Sequence, residues 1–116
     1  MTRVRRIARA LGVAGAVVAA AVSTTAAGAD LAAGQAKAKE ICQACHGMDG
    51  NSATADYPKL AGQYPDYLAK ALRDYQSGRR KNPIMAGMAA PLTPKDIENL
   101  AAYYAAQPPV LTVHRQ

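Results

Sequence analysis

Two cysteines and a histidine in the run Cys42-Gln43-Ala44-Cys45-His46 constrain this chain more than any other feature. The spacing Cys-x-x-Cys-His is the pattern that attaches a c-type haem. Residues i and i+3 share one face of a helical turn, so both thiols can point at the two vinyl groups along one porphyrin edge. The imidazole follows at once and can reach the iron. The run therefore predicts covalent attachment and proximal ligation of one haem.

Three other interpretations of these residues are weaker. A redox-active disulfide of the thioredoxin type expects a βαβ context, which the downstream sequence does not indicate. A structural zinc site usually needs four Cys or His ligands, and the other histidine, His114, lies in the predicted tail. A structural disulfide that spans two intervening residues would constrain little of the unfolded chain.

The first 29 residues predict a secretory signal peptide. Four arginines make a basic start, 10–22 is an apolar run, and the small residues that end at Ala29 fit a cleavage site. The 13 apolar residues are few for a bilayer span, which needs about 20, so a retained anchor is the weaker alternative. The pair Arg5-Arg6 alone is weak support for a twin-arginine signal. We therefore expect cleavage near Ala29 and a mature protein in the periplasm.

The remaining residues, 30–116, predict one domain of 87 residues in which 110–116 is a loose tail. This domain is small and contains no Phe or Trp, so a buried porphyrin would supply apolar bulk that the composition lacks. The whole chain has a formal charge of +6, but four of its 14 basic residues lie in the predicted signal peptide. The ten that remain face eight acids, which is not the charge balance of a nucleic-acid-binding protein.

Helix signals recur through the domain and indicate an all-α fold. The predicted helices are 31–43 with Asp30 as its cap, a second that starts at Pro65 and ends at Gly78, and a third that starts after Thr93. Gly34 inside the first predicts a close approach by another element. The segment 82–91, with a proline near each end, is predicted to be non-helical.

Two loops offer further groups for a haem. The long connection 47–63 is expected to wrap the porphyrin, and within it the carbonyl of Pro58 is a candidate acceptor for the second ring nitrogen of His46. In 82–91 either Met85 or Met88 could bind iron on the opposite side.

These residues together resemble the class I cytochromes c, and most closely a haem domain of the cytochrome c4 and c553-like group. The resemblance covers about 34–107, which is nearly the whole predicted domain. The matching stretches are 42–47, 49–52, 57–63, 83–88, 91–93 and 100–104.

The resemblance implies an all-α class I cytochrome c fold, with about three main helices and long loops around one covalently attached haem. It implies His46 and a methionine as axial ligands and favours Met85, the first of the Met-x-x-Met pair, over Met88. It also implies contact between Gly34 and an aromatic side chain of the last helix, Tyr103 or Tyr104. Cytochromes c4 carry two haems, whereas this sequence has one attachment motif and is expected to be a single-haem relative.

The expected function is transfer of single electrons in the periplasm, without enzymatic activity. Partners would be redox proteins bound transiently, and a membrane would be contacted only through a membrane-bound redox partner. The cluster Arg79, Arg80 and Lys81, with Lys59, could steer an acidic partner or be a solvated loop. One alternative is the haem subunit of a larger dehydrogenase of the flavocytochrome type. A less favoured one is an open-site haem enzyme or gas sensor, which requires that neither methionine reaches iron.

Overall fold

The structure is a computed structural model that describes residues 28–110 together with Gly12 and Gly15. Helices and connecting turns, without a strand, make up this described part, which confirms the predicted all-α class. Most of the predicted signal peptide, His114 and nearly all of the predicted tail lie outside the described residues. The helices are α1 (Leu31–Ile41), α2 (Gln43–His46), α3 (Pro65–Ser77), α4 (Pro83–Ala89) and α5 (Pro94–Ala105).

The ends of the three long helices follow from local side chains, as the sequence predicts. The carboxylate of Asp30 accepts a hydrogen bond from the backbone N–H of Ala33 at the start of α1. Gly78 ends α3 in the left-handed conformation, with φ 77° and ψ 6°. At the start of α5, Thr93 and Asp96 form a reciprocal capping box with two hydrogen bonds of 3.0 Å.

The close approach of α1 and α5 organises the fold. Gly34 is buried there, and a Cβ atom at this position would lie 2.2 Å from the carbonyl oxygen of Asn99 and 2.8 Å from Cβ of Tyr103. The side-chain oxygen of Asn99 also accepts a 2.8 Å hydrogen bond from the backbone N–H of Asp30. Tyr103, rather than Tyr104, is therefore the aromatic residue that packs on the glycine.

The apolar core lies where α5 meets α1 and α3, and it is small. Ile97 and Leu100 of α5 are the largest side chains that are fully buried among the described residues. Alanines, two further leucines and two tyrosines of α5 complete it, so the core contains few large aliphatic side chains. The remaining buried members are Ala38, Leu68, Ala69, Ala89, Leu92, Ala101, Tyr103 and Tyr104.

The prediction that 82–91 is non-helical is wrong, because 83–89 forms α4. Pro83 occupies the first helical position, where a missing N–H costs nothing. Asn82 caps the helix, and its side-chain oxygen accepts 3.0 Å hydrogen bonds from the N–H groups of Ile84 and Met85. Pro83 therefore starts a helix instead of excluding one.

Two neighbouring tyrosines of α5 hold the loop that follows α2. The Tyr103 hydroxyl donates to the Met48 carbonyl at 2.8 Å, and the Tyr104 hydroxyl donates to the Gly47 carbonyl at 3.2 Å. Their rings meet edge to face with centroids 5.2 Å apart. Burial raises the pKa of both hydroxyls, so both remain protonated donors at neutral pH.

We expect Gly34→Ala to lower the free energy of unfolding by about 1–3 kcal/mol, because the added methyl group would overlap the α5 backbone. Chemical denaturation of the haem-loaded protein measures this. Gly87→Ala is the control, since a methyl group added to Gly87 in α4 would meet no atom of another element within 4 Å. Equal effects of the two changes would refute the close-packing account of Gly34.

We expect Tyr103→Phe to cost about 1 kcal/mol of unfolding free energy, because the Met48 carbonyl would lose its donor. The same denaturation measurement applies. Tyr64→Phe should change stability by less than about 0.5 kcal/mol, since the Tyr64 side chain is 79% exposed. A Tyr103→Phe protein as stable as the wild type would show that this hydroxyl does not hold the loop.

Candidate haem site

The Cys-x-x-Cys-His run occupies the junction between the first two helices. Cys42 stands at the C-cap of α1 and the N-cap of α2, so it belongs to neither regular helix. Cys45 and His46 follow within α2, a single turn. Both cysteines are partly buried free thiols, and His46 is only 7% exposed. Because Cys42 ends α1, the packing of α1 against α5 fixes where the Cys-x-x-Cys-His run lies.

The orientation of the His46 ring is set by the following loop. Gly50 accepts hydrogen bonds from the N–H groups of Leu60 and Ala61, at 2.7 and 3.1 Å, which folds the loop back towards α2. In this fold Nδ1 of His46 lies 2.7 Å from the carbonyl oxygen of Pro58. A carbonyl only accepts, so Nδ1 carries a proton, and in the neutral imidazole Nε2 then has the free lone pair. The imidazole is therefore in the tautomer that can ligate a metal through Nε2.

A cavity of about 220 Å³ opens between this imidazole and the helices α3, α4 and α5. Of the predicted site residues, Cys42, His46, Pro58 and Met85 line it. Cys45 and Met88 are not among the lining residues. Most of the other lining side chains are apolar or aromatic: Leu60, Tyr67, Leu68, Ala71, Leu72, Tyr75, Leu100, Ala101 and Tyr104.

The two methionines differ clearly in their surroundings. Met85 is partly buried and faces the same cavity as His46. Met88 is 45% exposed, and its α4 neighbour Ile84 is 62% exposed. The three positions lie on one seven-residue helix, and only Met85 is brought to the cavity. Sequence spacing alone could not separate the two methionines, because both stand on a short helix that the sequence did not predict.

An iron porphyrin fits this donor set. A metal-competent imidazole nitrogen, a thioether and a thiol meet around one largely apolar space, and a second thiol stands one helical turn away from the first. Thioether and imidazole are the axial ligands that low-spin haem iron accepts in cytochromes c. The lining would exclude water from the metal.

The alternative interpretations of the cysteines find less support in this geometry. Burial raises the pKa of the Cys42 thiol to about 11, whereas a redox-active Cys-x-x-Cys pair depends on a lowered thiol pKa. Within the described residues, His, Cys, Asp and Glu side chains form no cluster of three or more that could hold a metal ion. The donor set therefore suits a porphyrin iron better than a thiol redox centre or zinc.

Arg80 is a cavity residue that the sequence did not distinguish from its neighbours. Its guanidinium donates to the Tyr67 hydroxyl at 3.2 Å and lies 5.2 Å from the centre of the Tyr75 ring. Both tyrosines belong to α3 and line the cavity. All three basic residues are exposed, but Arg80 lines the cavity and the adjacent Arg79 and Lys81 do not. The sequence of three consecutive basic residues does not indicate which of them lines the cavity.

Comparison with known proteins also points to a haem protein. A cytochrome c4 of Thiocapsa roseopersicina is 53% identical over 79 residues, which cover 68% of this chain and 41% of that protein. Cytochrome c-554(548) of Halomonas halodenitrificans is 42% identical over 81 residues, which cover 67% of this chain and 96% of that protein. The thiosulfate dehydrogenase electron acceptor of Thiomonas intermedia is 46% identical over 65 residues, 55% of this chain and 30% of that protein.

Among solved structures, reduced recombinant cytochrome c4 from Pseudomonas stutzeri matches with a TM-score of 0.67 and 42% identity, over 72% of this chain and 48% of that one. This chain spans about two fifths of the length of the cytochrome c4 relative from Thiocapsa. The family model described as Cytochrome c matches residues 31–106, from the first residue of α1 to just beyond the end of α5. The chain therefore belongs to the cytochrome c family and has the class I, cytochrome c4-like fold.

Proposed function

We propose that this protein carries single electrons on one covalently bound haem c whose iron is ligated by His46 and Met85. The observation that supports it most is that two suitable donors line one cavity: the imidazole held by Pro58 and the thioether of Met85. Membership of the cytochrome c family implies a covalently bound haem c.

In this proposal Cys42 and Cys45 would hold the porphyrin covalently, and Nε2 of His46 and the sulfur of Met85 would ligate its iron. The bound haem supplies an iron that gains and loses one electron, at a potential that Met ligation raises. The carbonyl of Pro58 keeps the imidazole in one tautomer and orientation. With His46 and Met85 both on the iron, no position would be left for a substrate, which favours electron transfer over catalysis at the metal.

The proposed role of Arg80 is to face the carboxylates of the porphyrin. Its guanidinium is held at the cavity between Tyr67 and Tyr75, where a bidentate cation suits a carboxylate. The Tyr67 hydroxyl beside it offers a second polar group. This role would separate Arg80 from Arg79 and Lys81, with which the sequence groups it as either a steering patch or a solvated loop.

Residues 1–29 are proposed to be a signal peptide that directs the protein to the periplasm. In support, the first helix begins at Leu31 and its cap, Asp30, directly follows the predicted cleavage site. Across 28–110, each helix is too short or too polar to span a bilayer.

Transient redox proteins are the proposed partners, and Arg79 and Lys81 are the proposed steering charges. Both are exposed at the turn that joins α3 to α4, next to the helix that carries Met85. Lys59 is a weaker candidate, because its ammonium group donates to the Val110 carbonyl at 2.8 Å.

A second candidate function is service as the haem subunit of a larger dehydrogenase. The similarity to the cytochrome subunit of sulfide dehydrogenase from Chlorobaculum tepidum, 36% identical over 63 residues, favours it. Purification of the natively matured protein under mild conditions distinguishes the two functions, since a subunit would co-purify with its dehydrogenase in fixed stoichiometry. A carrier would elute alone.

The primary test is the visible spectrum of the natively matured protein together with its mass. We expect a mass increase of one haem, a reduced spectrum of the c type and, when oxidised, a sulfur-to-iron charge-transfer band. A mass of polypeptide alone would overturn the proposal.

We expect Met85→Ala to abolish the charge-transfer band, to lower the reduction potential and to let carbon monoxide bind the reduced protein. The physical reason is the loss of the thioether that fills and stabilises the sixth position. Potentiometric titration and carbon monoxide mixing measure these effects.

Met88→Ala is the matched control for this experiment, since it removes the same side chain three residues further along α4. It should leave the band and the potential unchanged. The assignment of Met85 fails if Met88→Ala abolishes the band and Met85→Ala preserves it.

We expect reduction by a negatively charged reductant to slow as ionic strength rises, because salt screens the charges of Arg79 and Lys81. The screening length falls from about 30 Å at 0.01 M to about 10 Å at 0.1 M. The double variant Arg79→Gln/Lys81→Gln should lower the rate at low salt by up to about tenfold. Stopped-flow kinetics measure it. Lys37→Gln/Lys39→Gln on α1 removes the same charge elsewhere and should have a smaller effect; an equal effect would argue against a steering surface.

A further inference from the structure

The side chain of Gln76 bridges two elements on the methionine side of the cavity. It stands in the last turn of α3, and its amide nitrogen lies 2.8 Å from the carbonyl oxygens of both Ala89 and Leu92. An amide NH₂ group has two N–H donors, so these two bonds use both. Gln76 therefore ties α3 to the end of α4 and to the turn that leads into α5.

The helix that Gln76 binds, α4, has little stability of its own. With seven residues, α4 is far shorter than the length at which helices are stable alone. Its first turn is secured by Asn82, whose side chain bonds the N–H of Met85 itself. At its other end the Ala89 carbonyl accepts a 3.1 Å hydrogen bond from the Leu92 N–H, and Gln76 supplies a second, shorter one.

The position of α4 relative to α3 decides where the Met85 side chain lies. Leu68, Leu72 and Tyr75 of α3 form one wall of the cavity, and Met85 projects from α4 into the same space. Ala89, at the end of α4, is completely buried, so this end packs closely when Gln76 holds it. A looser contact between the two helices would allow Met85 to move away from the cavity.

We propose that Gln76 is a positioning residue for the Met85 thioether, and that its two hydrogen bonds keep the sixth position of the haem iron closed. The inference rests on the proposed function, since it takes Met85 as the axial ligand. Gln76 touches neither the metal nor the porphyrin in this account. It acts through the backbone of α4.

The test uses the natively matured, haem-loaded protein with Gln76→Glu and Gln76→Lys. The glutamate has the same shape but replaces the donating nitrogen with an oxygen that faces two carbonyl oxygens. The lysine restores N–H donors on a chain of similar length. Gln107→Glu is the control, because Gln107 donates one comparable bond, 3.0 Å to the Tyr103 carbonyl, at the end of α5.

We expect Gln76→Glu to raise the rate constant for carbon monoxide binding to the reduced protein about tenfold, equivalent to about 1.4 kcal/mol. The charge-transfer band of the oxidised protein should disappear at a lower temperature than in the wild type, well before global unfolding. Gln76→Lys should bring the rate back to within about twofold of the wild type. Gln107→Glu should leave both the rate and the band unchanged.

The outcomes separate this inference from the proposed function. If the wild type shows the band and Gln76→Glu binds carbon monoxide no faster, Gln76 does not position the ligand. If Gln107→Glu raises the rate equally, the effect is one of general stability and the inference is overturned. A wild type that lacks the band and binds carbon monoxide rapidly overturns the Met85 ligation and this inference with it.

Discussion

The contact between α1 and α5 at Gly34 is the constraint on which the rest of the molecule depends. Because the glycine has no side chain, the α5 backbone at Asn99 comes close to α1 and fixes the direction in which α1 ends. Cys42 is the residue at that end. The same helix α5 then supplies Tyr103 and Tyr104, whose hydroxyls bind the loop that follows the attachment motif. One helix pair thus positions both sides of the Cys-x-x-Cys-His run.

The two proposed axial ligands are held by different means. His46 is buried in a turn next to a packed helix pair, and a backbone carbonyl fixes its ring. Met85 stands on a short helix that depends on an N-terminal cap and on side-chain bonds from α3. Ligand exchange at a haem in this cavity would therefore begin on the methionine side. This asymmetry arises from the lengths of the elements rather than from the chemistry of the two ligands.

Much of the fold could be predicted from the sequence because the signals for its helix ends are local. The features of the site that the sequence left undecided depend on contacts between distant elements. The caps of the three long helices act within one turn, and each is used as its residue type predicts. The error at α4 is also local, since Pro83 fits either a loop or a first helical position and the cap at Asn82 decides between them. By contrast, only the tyrosines of α3 distinguish Arg80 from its basic neighbours. The choice between Met85 and Met88 depends on which face of α4 packs against α3. A short sequence motif does not contain that information.

The pairing of the first and last helices also has a consequence for the order of events during synthesis. Asp30 and Asn99 are 69 positions apart, and the tyrosines that bind the loop after the attachment motif belong to the final helix. A chain that emerges from its N-terminus exposes both thiols long before α5 exists to enclose them. In the proposed haem protein, the two cysteines would therefore be open to haem attachment until the last helix packs against the first.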